Sequence, residues 1–410
     1  MKTSNLISCF FTTLFVLFLS LSSSPLLGQS LADSTLSNEV SILKKQVAEM
    51  KQGSSHFMIV GLTTFGFYNQ NTSTTLGGLK TSSNYNSLGD VNRYEFSPLF
   101  LWRHGDDLLL EFEPSFNGSG LGVNWAAISY FITPGLIARG GYFVLPFGTY
   151  SKRLAAGWVN KLASDPIGSN PAGSDFGVEV EGGFPLGSMK GGYDLAISNG
   201  FQLNPDGTIA SVGISAINNN KTISGRLSLL PLSNSSLELG VSGLFGTLAT
   251  PTGSTINYQD PMVSMYGLDL HFIENLNPVQ INIKGQYNLT KVNSQNYTNP
   301  LDSTQRYSFT NNTNASFGQI SVRPIQLESK VFKNLELAYR HVNYKTPSGS
   351  TWGQNYTEND IGLDYWLSWR TVLKITYEGI KSDGTSSVAL SGIQGSTNIN
   401  RIVLQFSTGL

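Results

Sequence analysis

Cysteine is almost missing from this 410-residue chain: Cys9 is the only one, and it sits in an N-terminal apolar stretch. Everything after it lacks a thiol, which excludes a disulfide framework, a thiolate nucleophile and a zinc–sulfur site. Charge is scarce as well. Asp, Glu, Lys and Arg make up 13% of the residues, with a formal net charge of −1, so neither a basic nucleic-acid surface nor a polybasic membrane anchor is present. The four histidines, His56, His104, His271 and His341, show no metal-ligand spacing and no nucleophile motif. No glycine-rich stretch opens a helix to cradle a phosphate. Together these absences argue against an enzyme, and no cofactor or metal is expected. Long apolar runs are also missing beyond residue 30, which removes the transmembrane helix from consideration for the rest of the chain.

What is present begins with an address. Lys2, the apolar LISCFFTTLFVLFLSL and the small residues of SSSPLLGQS have the layout of a secretory signal peptide over 1–29, with an uncleaved anchor as the competing reading. The segment 30–55 reads as the one helix. Leu36, Val40, Leu43, Val47 and Met50 alternate spacings of four and three, the seam of a short coiled coil. Two to three heptads are marginal alone, so the seam suggests a homo-oligomer; a lone amphipathic helix is the alternative.

From residue 56 to 410 the pattern is β. Sixteen strands are expected near 56–69, 91–104, 106–117, 122–132, 136–145, 175–185, 188–199, 220–231, 235–247, 261–274, 278–291, 313–327, 334–344, 357–367, 370–380 and 397–409. The links alternate. Short ones such as HGDD (104–107), TPG (133–135) and SWR (368–370) are separated by long polar ones, at 70–90, 146–174, 200–219, 248–260, 292–312, 345–356 and 381–396, with the short NGSG (117–120) also in a long-link position. Tight turns at one end, long loops at the other and an even strand number describe a sixteen-stranded antiparallel transmembrane β-barrel in the bacterial outer membrane, its short turns and N-terminal helix in the periplasm.

The strands are also inside out. In TVLKITYEGI (371–380), Leu373, Ile375 and Tyr377 alternate with Lys374, Thr376 and Glu378. A wide barrel in lipid puts the first set outside and the second in a water-filled lumen. The same reading directs Arg93, Glu95, Arg139, Arg226, Lys284, Glu336, Arg340, Lys374, Glu378 and Arg401 inward, with Glu111 and Glu113 from LLLEFEPSF. Tyr68, Trp102, Tyr150, Tyr287, Tyr344 and Trp369 near strand ends are candidates for interfacial girdles.

The longest link, near 146–174, is expected to fold into the lumen as a constriction. Its Lys152, Arg153 and Lys161, with Arg139, are the candidates for attracting anions, opposed by Glu111 and Glu113. Ordinary solvated loop charges are the competing reading.

Three C-terminal stretches, VRPIQLESKVFKNLELAYRHVNY, NDIGLDYWLSWRTVLKITYEGIKSDG and NINRIVLQFSTGL, together with LIARGGYFVLPFGTY, resemble in order and spacing the trimeric outer-membrane porins of the phosphate-selective porin O and P type, some of which carry a short coiled coil before the barrel. The resemblance implies a homotrimer that passes small hydrophilic solutes passively. It does not extend to a ladder of lumenal arginines, because acids match or outnumber bases on the lumenal face. A plugged barrel serving as a surface receptor, adhesin or structural anchor is the alternative function. Expected partners are outer-membrane lipids and small solutes, with no nucleic acid.

Overall fold

A strand with apolar and polar residues on opposite faces must put each face in its own medium, and here neighbouring strands keep those faces in step. The computed structural model describes residues 55–88, 94–117, 120–212, 221–251, 258–299, 302–384 and 395–409. The signal-peptide and coiled-coil readings, including Leu36, Val40, Leu43, Val47 and Met50, and the lumenal assignment of Arg93 lie outside the described residues.

The strands are Ser55–Leu76 (β1), Leu79–Leu88 (β2), Glu95–His104 (β3), Leu108–Asn117 (β4), Gly120–Thr133 (β5), Leu136–Val144 (β6), Ser174–Leu186 (β7), Met189–Ser198 (β8), Phe201–Leu203 (β9), Ile209–Ser211 (β10), Thr222–Leu230 (β11), Leu237–Thr247 (β12), Met262–Leu276 (β13), Val279–Val292 (β14), Tyr297–Asn299 (β15), Asp302–Tyr307 (β16), Asn312–Pro324 (β17), Leu335–Lys345 (β18), Asn355–Trp366 (β19), Thr371–Asp383 (β20) and Gly395–Gly409 (β21). Consecutive wall strands pair antiparallel, and β1 pairs with β21 from Leu62↔Gly409 to Leu76↔Gly395, which closes the barrel. The main sheet has seventeen strands, but β2 and β3 run end to end along β1 and share one place, so sixteen places complete the circle.

That shared place corrects one expectation. The polar segment 70–90 was expected as a loop, yet β1 continues to Leu76 and the chain returns as β2, from Leu76↔Leu79 to Phe67↔Leu88. Gly77 and Gly78 form the two-residue turn at φ +55° and +84°, the left-handed pair such a hairpin requires. The residues are Asn, Ser and Thr because both faces of this extension are polar; Asn71 Nδ2 donates to Asn84 Oδ1 at 2.5 Å across it. A second difference is a helical turn, Lys330–Lys333, within the short link 329–334.

The inversion is complete along β20. Leu373, Ile375 and Tyr377 are 44%, 46% and 45% exposed, whereas Lys374, Thr376 and Glu378 are 3%, 0% and 0% exposed. Apolar side chains this exposed all round a closed wall belong in hydrocarbon, where a closed barrel leaves no strand edge unpaired. Opposite register partners share a face: Leu373 meets Phe406 and Ile375 meets Leu404 outside, while Lys374 meets Gln405 inside. Phe57, Phe100 and Phe112 form an outward stack with centroids 6.2 Å apart at each step.

The girdle assignment holds for only part of its set. Tyr287 and Trp369 are outward and exposed. Tyr68 and Tyr150 are buried, and Tyr344 packs beside Gly168. Tyr150 belongs to the segment between β6 and β7, and Tyr68 packs with Ala163 and Val403. Position near a strand end in sequence does not fix the face, which the period of two decides.

The long links also pack together. Phe143, Leu145, Phe147, Phe201, Leu203, Leu248, Tyr258, Val263, Val292 and Tyr297 form a buried apolar cluster, with Tyr297 stacked on Phe309 at 4.4 Å. β9–β10 and β15–β16 are small sheets inside two of these links. Trp352 Nε1 donates to the Asp206 carbonyl at 3.0 Å, tying two links to each other. This cap lies against β6, β8 and β12–β14.

Replacing outward Ile375 by Arg puts a charge into the apolar band and is expected to destabilise the barrel by ~2–4 kcal/mol. The check is the denaturant midpoint of protein folded into lipid vesicles. The same change at Ser82, exposed on the β1–β2 hairpin, is expected to stay within ~0.5 kcal/mol.

Candidate functional site

Residues 145–173 leave β6 and return to β7, and instead of standing in solvent they fold against the inner face of the barrel. The wall holds them with side chains aimed at backbone. Gln286 Oε1 accepts from the Thr149 and Tyr150 amides at 3.1 and 3.2 Å, and its Nε2 donates to the Ser169 carbonyl at 2.7 Å. Asn288 donates to the Gly168 carbonyl at 2.9 Å. Further round, Lys284 donates to Val159 O at 2.5 Å, Lys374 to Asn160 O and Leu162 O at 2.6 and 3.1 Å, and Gln405 to Ala163 O at 2.9 Å. Thr376 Oγ1 accepts from the Ala163 amide at 3.1 Å.

These contacts explain an irregular backbone inside a barrel. A segment without regular structure leaves its N–H and C=O groups unpaired, and burying them costs free energy unless side chains supply partners. Amide and ammonium groups on alternate wall residues do so. The approach is close: a Cβ on Gly148, at φ +66°, would collide with the Gln286 side chain.

The charges of the segment are held in the same way. Lys152 Nζ lies 2.7 Å from Glu179, 2.9 Å from Glu181 and 3.5 Å from Asp194. Burial works against the ammonium, but the carboxylates of Glu179, Asp194 and Glu181 outweigh it and raise the Lys152 pKa above the ordinary lysine value. Arg153 reaches Glu238 at 2.9 Å and Asp194 at 3.7 Å. Lys161 lies 3.3 Å from Glu336 and 4.3 Å above the Trp366 ring. Asp165 accepts from Tyr150 Oη at 2.8 Å; burial pushes its carboxyl up.

The wall bases are engaged too. Arg139 pairs with Glu179 and Glu181, stacks over Trp125 and lies 3.9 Å from Glu111. Arg226 is paired with Asp269 at 2.6 Å and Glu238 at 2.9 Å. Arg340, fully buried, binds Asp360 at 2.7 Å and Glu358 at 3.4 Å, and donates to the carbonyl and hydroxyl of Ser164. Arg401 reaches Glu378 at 2.8 Å and Gln70 at 2.5 Å. Glu95 and Glu113 are different, sharing the amide of Asn124, whose Nδ2 lies 2.9 and 3.4 Å from them.

The structure therefore brings Lys152 and Arg139 together with Glu179, Glu181 and Asp194. It groups Lys161 with Glu336, and sets Glu95 and Glu113 elsewhere. Sequence reasoning did not pair these groups, because each link joins residues distant along the chain. Gln286 and Asn288, which carry much of the anchoring, are not singled out by the sequence, and Gln405 is read only as an inward residue of RIVLQFSTG. Their inward phase in the strand alternation was the available signal.

Beside the folded segment remains an opening of about 610 Å³. One side is the segment itself, from Ala155 to Ile167; the other is the wall of β1, β3–β5 and β19–β21, including Thr64, Glu95, Asn124, Glu358, Glu378 and Arg401. A second hollow, of about 500 Å³, lies outside among Phe65, Leu363, Leu373, Leu404 and Phe406 and belongs to the apolar outer wall.

No protein-family model matches the sequence, and no curated protein matches it. Solved structures do. The anion-selective porin from Comamonas acidovorans aligns at a TM-score of 0.53 and 14% identity, over 87% of this chain and 100% of that one. The outer-membrane channel DcaP of Acinetobacter baumannii aligns at 0.50 and 12%, over 86% and 97%. OmpF of Salmonella typhi, in its complex with daunomycin, gives 0.50 and 9%, over 86% and 97%. The shared feature is the fold: this chain is a sixteen-stranded barrel of the outer-membrane porin type.

Replacing Lys152 by Met leaves three carboxylates facing one another with less compensation. Its ammonium is partly accessible, so the expected loss is about 2–4 kcal/mol, below that of a dry pair. Earlier denaturant unfolding and faster amide hydrogen exchange over 150–165 are the readouts.

Proposed function

We propose that this protein is an outer-membrane porin, a passive channel through which small hydrophilic solutes and ions diffuse down their gradients. The observation that carries the reading is the opening beside the folded segment, polar on its wall side and enclosed by a barrel whose outside is apolar. A single segment that narrows a wide barrel without filling it sets a size limit while leaving water in the path. In this reading 146–174 is the constriction.

The working unit is a homotrimer with its short turns and N-terminal helix in the periplasm. The seam of Leu36, Val40, Leu43, Val47 and Met50 supports an oligomer, and the resemblance to the phosphate-selective porin O and P type supports three copies. Phosphate itself is not the proposed solute. An anion path needs cations free to donate to the ion, whereas Arg139, Arg226 and Arg340 already donate to carboxylates. Lys152, Arg153 and Lys161 are proposed to hold the constriction in position through their ion pairs. No cofactor enters the mechanism.

Purified protein in a planar bilayer is expected to give stable conductance that appears in groups of three equal steps. Deleting residues 155–165 is expected to raise the step size. Folded, inserted protein that carries no current would instead indicate a plugged barrel, for which the apolar cap over β6, β8 and β12–β14 would be the structural basis.

A further inference from the structure

The cations of the folded segment do not border the opening. Lys152 and Arg153 reach toward acids on β7, β8 and β12, and Lys161 toward Glu336 on β18. None of the three lines the passage. Two wall bases do, Lys374 and Arg401. The Lys374 ammonium is buried and donates to two carbonyls of the segment, and Arg401 is occupied by Glu378 and Gln70. A base committed in this way offers little to a passing anion.

The acids are in a different position. Glu95 Oε1 accepts from the Ser97 hydroxyl at 2.5 Å and from Asn124 at 2.9 Å, and Glu113 Oε1 receives the same amide at 3.4 Å. These donors are neutral. Among the described residues neither carboxylate has a cation within ion-pair distance. Across the opening, Glu358 is only 2% exposed; its Oε1 takes Arg340 at 3.4 Å, while its Oε2 meets no protein donor among the described residues although the residue lines the passage. Among the described residues, Asp165 on the segment accepts hydrogen bonds from neutral donors, Tyr150 and Asn160, with Arg340 and Lys374 near it.

We infer that the passage selects small cations, and that Glu95, the carboxylate that lines it, sets the preference, with Glu113, outside the lining but sharing the Asn124 amide, adding its charge. The inference rests on the channel reading above and names its solute class. Uncompensated carboxylates on a narrow, low-dielectric wall raise the local concentration of cations and repel anions; compensated pairs elsewhere in the lumen contribute little to that field. The ligand chemistry is that of a small hydrated cation passing carboxylate oxygens.

The test is the reversal potential of the full-length protein in a planar bilayer under a potassium chloride gradient. The native channel is expected to show the cation sign, with a potassium-to-chloride permeability ratio above ~3, and the Glu95→Gln, Glu113→Gln double variant to lower that ratio at least ~2-fold. Glu95→Asp, which keeps the charge, is expected to stay on the native side. A native ratio at or below one, or a conducting double variant with the native ratio, overturns the inference while leaving the channel reading intact. No current from folded, inserted protein overturns the channel reading and this inference with it. If the double variant does not insert, Glu95→Gln alone and spermine block of the native channel carry the test. Block by spermine on the native channel supports the inference, and indifference to it together with an unchanged Glu95→Gln ratio overturns it.

Discussion

The structure depends first on the need to pair every backbone N–H and C=O that lies at membrane depth. In hydrocarbon an unpaired group costs several kcal/mol, so a sheet that crosses lipid cannot have an edge. The long ladder between β1 and β21 meets that need by joining the two ends of the sheet. Closure then fixes the chemistry of each residue. With the ring complete, the period of two has one phase facing lipid and the other facing inward, and the sequence of β20 reads as Leu373, Ile375 and Tyr377 outside and Lys374, Thr376 and Glu378 inside.

The same pairing demand governs the interior. Folding 145–173 into the lumen removes an irregular backbone from bulk water, and this is tolerated because the inward phase of the wall is rich in donors. Gln286, Asn288, Lys284, Lys374 and Gln405 supply hydrogen bonds to groups that a strand or helix would have paired internally. The ion pairs add position. Lys152 faces three carboxylates from two neighbouring strands, and Lys161 faces Glu336 against an indole ring, so the segment is tethered at separate points round the barrel. An opening is then left between the segment and the wall of β1, β3–β5 and β19–β21.

Local pattern made the wall legible in the sequence. Alternation in TVLKITYEGI and RIVLQFSTG, and the alternation of short and long links, depend only on nearby residues and on the medium each face meets. The hairpin at 70–88 was missed for a related reason: above the lipid both faces are polar, so Asn, Ser and Thr carry no alternation, and only Gly77–Gly78 marked the turn. Tyr150 and Tyr344 were misplaced because an aromatic near a strand end reads the same whether it faces lipid or a folded segment. The cap was hidden differently. Phe201, Tyr258, Tyr297 and Phe309 are scattered over separate polar links, and nothing in their spacing shows that those links meet.

The candidate site was the least legible part, since its electrostatics depend on partners and not on inventory. Counting lumenal charges gave a mixture without direction, and the basic residues of 146–174 suggested an anion path. In the fold those bases neutralise wall carboxylates, while Glu95, read as lumenal, and Glu113, read as an opposing acid, meet only neutral donors among the described residues. An ion pair in a low-dielectric wall is nearly a dipole at a distance, whereas a lone carboxylate keeps its full charge, so a few uncompensated groups outweigh a larger number of compensated ones. On the proposed channel reading, the folded segment thus separates two roles that the sequence mixes: bases that fix where the segment lies, and acids that determine what the remaining opening attracts.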